Sequence, residues 1–444
     1  MTQTATDRSQ TSVAAIAQRA RAASRILARV PAEIRNQALL AAAKAIEDGA
    51  QRILDANAVD CKAAEPAVAS GEMSSAMFAR LRVNAKGISH IATQIREVAQ
   101  LPDPLGRRLS GMELDEGLIL YRESCPFGVI GVIFESRPDV VPQVASLTLK
   151  TANAIILKGG TEAAHTNEAI VAIWRESLER FPAIPADSIH LVHTRADVLE
   201  MLSLDRDIDL IIPRGSYSLV QFIMKNSRIP VLGHGEGICH VYVDRAADLG
   251  KAVNVTYDAK VQYPAVCNAA ETLLVHETIA PAFLPKVAEK LIAAGVEIRG
   301  DAKTRSLLPN FKIVPATEAD WSTEYTDLIL SIKIVRDEEE AIEHVNRYGS
   351  RHTDAIVTED ADAAQKFMNE VDSAGVFQNA STRFADGFRY GLGAELGIST
   401  SKLHARGPMG LDGLTTYKYK LYGSGQTVAE YGKSGKSFKH KPIL

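Results

Sequence analysis

From Gly128 onward the chain alternates short, unbroken apolar runs with amphipathic stretches, and this alternation limits the fold more than any other feature of the sequence. The runs GVIGVIF, AIILKG, SIHLVHT, IDLIIPRG and the VYV of CHVYVD have strand length. Between them lie VVPQVASLTLKT, NEAIVAIWRESLERF, ADVLEMLSL and SYSLVQFIMKNS, with helical spacing of apolar positions. A strand apolar on both faces needs cover on both faces, and helices in β-α-β order provide it over a parallel sheet. The same texture returns after residue 267 in ETLLVHE, ILSIKIV, DAIVTE and GVFQNA, with helices such as IAPAFLPKVAEKLIAAG and DEEEAIEHVNRYG. The pattern predicts two α/β domains that meet near Lys260.

The flanks differ from this. Over residues 10–100 segments such as SVAAIAQRARAASRILARV and AEIRNQALLAAAKAIEDGAQRIL are rich in Ala, Leu, Arg and Glu, which predicts helices. After Pro102 and Pro104, GLILYRES has the partial alternation of an exposed strand and is a partner for RRLSGMEL. At the far end GLTTYKYKLYGSGQ reads as one Thr/Tyr-rich strand and GKSGKSFKHKPIL as a basic tail. A lone strand far from both sheets commonly completes a neighbouring subunit, so a homo-oligomer is expected.

Charge and cysteine usage narrow the class. With 50 basic against 54 acidic residues the net charge is -4, which leaves no electrostatic footprint for nucleic acid or an anionic membrane. No apolar run approaches the roughly 18–20 residues that span a bilayer, and the opening MTQTATDRSQ lacks a basic-then-apolar layout. Cys61, Cys125, Cys239 and Cys267 are far apart without CxxC spacing, which argues against a disulfide framework or a zinc site. A cytoplasmic metabolic enzyme without a metal is the expectation.

Cys267 lies in KVQYPAVCNAAETLLVH, after a Pro-containing loop and before an apolar strand. Irregular backbone is where reactive groups are displayed, and free amides nearby would lower the thiol pKa and form an oxyanion pocket. The alternative is a small buried hydrophobe. In AIILKGGTEAAHTNEAI, Lys158 ends a strand ahead of Gly159 and a helix, a place from which a lysine reaches ribose or phosphate, or merely caps the sheet in water. Gly215 and Ser216 stand between a strand and a helix, where a pyrophosphate can approach the helix amides, although many helices begin so for capping alone. Gly233, Gly235 and Gly237 alternate in GHGEGI, but a strand-like segment follows them, so this is no dinucleotide loop.

Taken in order, GVIGVIF, ILKGG, a strand ending in RGS, HGEG and the cysteine loop resemble the aldehyde dehydrogenase superfamily over residues 10–425. CPFGVIGVIFESRPDV, AIILKGG, CNAAETLLVH, NASTRFADGFRYGLGAELGIS and ARGPMGLDGLTTYKY resemble the branch of that superfamily that reduces L-glutamyl 5-phosphate. The resemblance implies an α/β fold of two Rossmann-like doubly wound domains plus a small β-hairpin oligomerisation element. It implies a nucleotide-binding domain over residues 1–105 and 125–258, a catalytic domain over 259–410, oligomerisation strands at 106–124 and 411–430, and a flexible tail at 431–444. It further implies NADPH-dependent reduction of L-glutamyl 5-phosphate through a Cys267 thioester in proline biosynthesis, with functional coupling to glutamate 5-kinase.

Residue by residue, the resemblance places Lys158, Gly159, Gly215, Ser216, His234 and Gly235 on the cofactor and Asn268 beside the nucleophile. Aligned on the VYVD strand, the position of the superfamily's hydrolytic glutamate holds His234, with Glu236 two residues on. Counting through FESRP puts Arg137 at the position of the oxyanion asparagine, where a cation would hold a carbonyl oxygen or phosphoryl group; the alternative is a structural ion pair. Arg383 is the candidate for the substrate α-carboxylate, and Asp386 or Glu395 for its α-ammonium. The third position after Lys158 is Thr161, with Glu162 one further on; without a carboxylate there a 2′-phosphate is admitted, hence NADPH. The rivals are an NAD-dependent oxidative aldehyde dehydrogenase and a non-catalytic binding protein of the same fold.

Overall fold

The computed structural model describes residues 12–444 apart from His234, Lys433 and Ser434, and without the side chains of Ser75 and Ala76. It contains two compact units. The first takes the chain up to Leu232, with Gly393–Leu396 and Met409–Leu444; the second takes Gly233–Leu392 and Gly397–Pro408.

The first unit opens with helices α1 (Val13–Leu27), α2 (Ala32–Asp48), α3 (Ala50–Ala69), α4 (Ser75–Leu81) and α5 (Ala85–Gln100). Ser12 and Asn84 cap α1 and α5 by accepting from Ala15 and Gly87 amides, as short polar side chains do at helix starts. An antiparallel pair, β1 (Arg108–Asp115) and β2 (Leu118–Pro126), precedes the α/β part. That part comprises β3 (Val129–Phe134), α6 (Val140–Lys150), β4 (Ala154–Lys158), α7 (Ala164–Leu178), β5 (Ile189–Val192), α8 (Arg195–Met201), β6 (Leu210–Arg214) and α9 (Tyr217–Asn226). Its sheet is parallel in the order β5-β4-β3-β6, and every residue of β3 is buried, as expected for a strand covered on both faces. Asp209 joins α1 to this sheet: it receives Arg21 through both oxygens (2.7 and 2.9 Å) and the Val129 amide at 2.8 Å. The order reverses direction at β3, so the loops after β3 and β6 flank the crevice where ligands of open α/β sheets bind.

The second unit comprises β7 (Cys239–Val243), α10 (Leu249–Val261), β8 (Ala270–His276), α11 (Ala280–Ala293), β9 (Glu297–Gly300), α12 (Ala302–Leu307), β10 (Val314–Pro315), β11 (Ile329–Val335), α13 (Glu338–Tyr348), β12 (Thr353–Val357), α14 (Ala361–Glu370) and β13 (Gly375–Gln378). Its seven parallel strands run β10-β9-β11-β8-β7-β12-β13 over a core that includes Val241, Leu273, Phe283, Leu284, Ile332 and Ala355.

Three expectations are corrected. The changeover between units falls at Gly233, not at 258/259, because β7 pairs with β8 and β12 (Val241 opposite Leu273 and Ala355) and not with the first sheet. An all-apolar strand carries no mark of which sheet it joins. Residues 415–422 are not a lone strand: Thr415–Tyr422 pairs antiparallel along β2 of the same polypeptide, Thr416 opposite Cys125 and Lys420 opposite Tyr121. Nor does the C-terminus run free, since the Lys439 amide donates to Leu114 O at 2.7 Å, the Ile443 amide to Gly111 O at 3.0 Å, and Lys441–Pro442 lies beside β1. The expected pairing of GLILYRES with RRLSGMEL is present as β1–β2.

Candidate active site

Cys267 is partly buried on the irregular stretch 262–269 between α10 and β8. The two ends of that stretch are clamped by an ion pair, Lys260 in the last turn of α10 to Glu271 in β8, at 2.5 Å and with both side chains fully buried. Burial pushes the Glu271 carboxyl up and the Lys260 ammonium down, and their mutual attraction opposes both shifts. The segment after β13 fastens the middle. Thr382 Oγ1 donates to Asn268 O at 2.7 Å, Asn268 Nδ2 donates to Ala385 O at 2.8 Å, and Arg383 Nε donates to Gln262 Oε1 at 2.9 Å. From β7, Cys239 Sγ donates to the Cys267 carbonyl at 3.3 Å. Gly237 lies directly against Cys267, for a Cβ at 237 would fall on the Cys267 carbonyl group and Cα. Of the alternation GHGEGI, Gly237 thus packs against the Cys267 loop, which its spacing alone does not reveal.

The expected polar partners divide. Asn268 Nδ2, expected beside the oxyanion, is engaged by Ala385 O, and its Oδ1 is buried with no partner among the described residues. Asp386 turns its carboxylate onto its own loop, accepting from the Phe388 and Arg389 amides (3.0 and 3.3 Å) with the Arg389 guanidinium 3.7 Å away. Arg383 is buried beside the cysteine loop, while Glu395 lies half-buried in the stretch that belongs to the first unit. Gly235 is half-buried ahead of β7, and His234 lies outside the described residues. Glu236 and Glu324, which the motifs do not single out, flank Gly237; burial raises both carboxyls, and the Gly237 amide partly offsets this at Glu324.

In the first unit Lys158 ends β4 half-buried. Burial lowers its pKa, Glu162 opposes that shift, and Arg195 at the start of α8 reinforces it. Lys158 and Arg195 thus place two cations in one corner, and Arg195 has no signal in the sequence beyond its position after a strand. Gly159 packs against Asn167 and Phe134, where a Cβ would not fit. Ser216 is the N-cap of α9; its amide donates to Glu135 Oε2 at 2.7 Å, and a Cβ on Gly215 would strike the same carboxylate. A carboxylate oxygen therefore sits on the Ser216 amide, at the helix start where a pyrophosphate is expected. The Glu162 carboxylate is likewise engaged, accepting from the Ser136 amide (2.7 Å) and hydroxyl (2.5 Å). Arg137 forms a pair with Asp139, 2.7 Å from Nη2 and 3.4 Å from Nε.

The chain carrying this cysteine loop and these two parallel sheets matches a known family. Residues 1–305 match the aldehyde dehydrogenase family, and the chain belongs to that family, whose members use nicotinamide cofactors. Among its relatives, the gamma-glutamyl phosphate reductase of Synechococcus sp. (strain JA-3-3Ab) is 55% identical over 428 residues, covering 96% of this chain and 94% of that protein. The crystal structure of gamma-glutamyl phosphate reductase from Thermotoga maritima shares 43% identity with a TM-score of 0.90, covering 94% of this chain and 99% of that one. Likeness of fold alone extends to the glyceraldehyde-3-phosphate dehydrogenase GapN from Methanocaldococcus jannaschii complexed with NADP, at 16% identity and TM-score 0.64, covering 92% of this chain and 93% of that one.

Proposed function

We propose that the chain reduces L-glutamyl 5-phosphate to L-glutamate 5-semialdehyde, with NADPH as reductant and release of inorganic phosphate, as a step of proline biosynthesis. The observation that carries this reading is Cys267 held on a loop clamped at both ends, in a protein similar over nearly its full length to gamma-glutamyl phosphate reductases. The Cys267 thiolate attacks the γ-carbonyl carbon; an S–C bond forms, the C–O bond to the phosphoryl group breaks, and phosphate leaves with the electron pair. When bound, the reduced nicotinamide supplies the hydride that turns the resulting thioester into an aldehyde. Collapse of the tetrahedral species then returns the electron pair to sulfur, and Cys267 is a thiolate again. Main-chain amides of the fixed loop are the donors closest in sequence to the developing oxyanion, and the Asn268 side chain is bonded to Ala385 O. Arg137 remains the candidate for the phosphoryl group, which would replace Asp139 as its partner. On the cofactor, the α9 start with Gly215 and Ser216 would hold the pyrophosphate, and Lys158 with Arg195 the ribose and its 2′-phosphate.

By alignment on the VYVD strand, position 234 carries histidine in place of the hydrolytic glutamate, which favours phosphate over water as the acyl acceptor. We place the reaction in the cytoplasm: the four cysteines are free thiols, and among the described residues no helix is long and apolar enough to cross a membrane. Self-association is supported by the outer strand Thr415–Tyr422, which leaves Tyr417, Tyr419, Leu421 and Tyr422 exposed at the sheet edge. Coupling to glutamate 5-kinase rests on the lability of an acyl phosphate alone. The test is the reverse reaction: NADP reduction by glutamate semialdehyde that requires added phosphate and is abolished in Cys267→Ser. Phosphate-independent formation of glutamate would instead establish the oxidative aldehyde dehydrogenase.

A further inference from the structure

Arg383 presents a problem in charge balance. The residue is 7% exposed, and among the described residues no carboxylate comes within 4.0 Å of its guanidinium. Its Nε donates to the neutral Gln262 amide. Asp386, three residues on, is turned to Arg389 and to the amides of its own loop, and Arg389 holds the Arg383 carbonyl at 2.7 Å. A buried cation with no carboxylate in ion-pair contact is costly, so a further negative charge beside it is favoured. The neighbours of Arg383 show where. Gln262 stands at one end of the cysteine loop, and Thr382 and Ala385 both bond Asn268, adjacent to Cys267; the guanidinium is therefore bracketed onto the loop that carries the thiol.

We infer that the Arg383 guanidinium is the resting counter-ion of the Cys267 thiolate, and so a residue that keeps the nucleophile ionised before any substrate arrives. The inference rests on the nucleophilic reading of Cys267 and changes the part expected of Arg383, from a holder of the substrate carboxylate to a partner of sulfur. The electrostatic surroundings agree. Burial and Arg389 pull the guanidinium pKa down, while Asp386, the Cys267 thiolate and Asp258 of α10 hold it up. The other ionisable groups around the loop favour a neutral thiol or are already balanced. Cys239 of β7 is a fully buried thiol raised far above its ordinary value by burial, Glu236 and Glu324 flank Gly237 with raised carboxyls, and Lys260 is paired to Glu271. When sulfur adds to the acyl carbon its charge moves to the carbonyl oxygen and then to phosphate, and the cation has a successive partner at each stage.

The test is alkylation of the full-length protein by iodoacetamide without substrate or nucleotide. Rates are followed from pH 5 to 10, and the modified cysteine is located by mass spectrometry. Wild type is expected to react at Cys267 with a midpoint well below the ordinary thiol value of about 8.5. In Arg383→Gln the midpoint rises by about one unit or more, so that alkylation at a pH well below the wild-type midpoint slows by roughly 10-fold, while Arg383→Lys keeps most of the depression. A midpoint in Arg383→Gln equal to that of wild type, with only KM raised, overturns the inference and returns Arg383 to the substrate carboxylate. If Arg383→Gln does not fold, an ordinary wild-type midpoint overturns it equally. Failure of Cys267 to react at any pH would overturn the nucleophilic reading itself, a separate result.

Discussion

The loop around Cys267 and the corner around Ser216 are held in place by different kinds of contact. Around Cys267 three hydrogen bonds come from residues 114–121 positions away, two of them through main-chain carbonyls, and a local ion pair sealed from water joins the ends of the loop. Around Ser216 the amide at the helix start is bonded by Glu135, a partly exposed carboxylate that a bound anion can displace. A nucleophile that must meet a carbonyl at a set distance gains from a backbone fixed in advance. A cofactor that enters and leaves each turnover gains from donors whose resting partner is exchangeable. The two regions thus separate preorganisation from exchange within one protein.

The strongest way to break that comparison is to unbalance the sealed pair. Lys260→Met leaves the Glu271 carboxylate buried without its cation, which costs about 3–5 kcal/mol of stability. Removing both charges, as Lys260→Met with Glu271→Leu, should recover most of that loss, because the desolvation penalty disappears with the attraction. Urea unfolding of the two variants and wild type checks this. A single variant as stable as wild type would show that the clamp does not fix the loop.

Acid sharpens the contrast from the other unit. His190 in β5 is 4% exposed, and burial lowers its pKa from 6.5 to about 4. Between those values the unfolded state binds a proton that the folded state refuses, so this contribution is fully present above pH 6.5 and is lost as pH falls toward 4. From pH 7 to 5 the loss is about 2 kcal/mol, and His190→Gln should flatten it. Hydrogen exchange at pH 5 is expected to show β5 opening ahead of β7 and β8. Equal protection of both sheets would remove His190 as the cause.

How much of this is legible in the sequence depends on the range of the contacts involved. The βα alternation, the exposed hairpin β1–β2 and Lys158 at a strand end are local patterns, and the structure contains each. Membership of β7 in the second sheet is hidden, since the burial of Cys239–Val243 looks the same in either sheet. The frame of Cys267 is hidden for the same reason: Thr382, Arg383 and Ala385 meet Gln262 and Asn268 only after folding, and no periodicity encodes that meeting. The tail misleads because a basic, Gly- and Ser-containing stretch has no apolar pattern, yet its backbone still pairs along β1. Gly237 is visible as part of an alternation, but only the position of Cys267 against it explains why no side chain fits.

The smallest expected effect bears most directly on exchange. Glu135 Oε2 takes the Ser216 amide at 2.7 Å and stands where a Gly215 Cβ would be, so a pyrophosphate reaching the start of α9 must displace a carboxylate. Glu135→Gln keeps the size and an acceptor oxygen but removes the charge that competes with phosphate. A charge at a helix start is worth about 0.3–1 kcal/mol, so NADPH should bind roughly 2- to 5-fold more tightly to the variant, by fluorescence titration at low salt. The gain should fade as ionic strength rises, because an exposed charge is screened while a lost hydrogen bond is not. Cofactor release should slow by the same factor, so that kcat falls if release limits turnover. Weaker binding in Glu135→Gln would show that the carboxylate holds the cofactor itself, and the corner around Ser216 would then be as preorganised as the loop around Cys267.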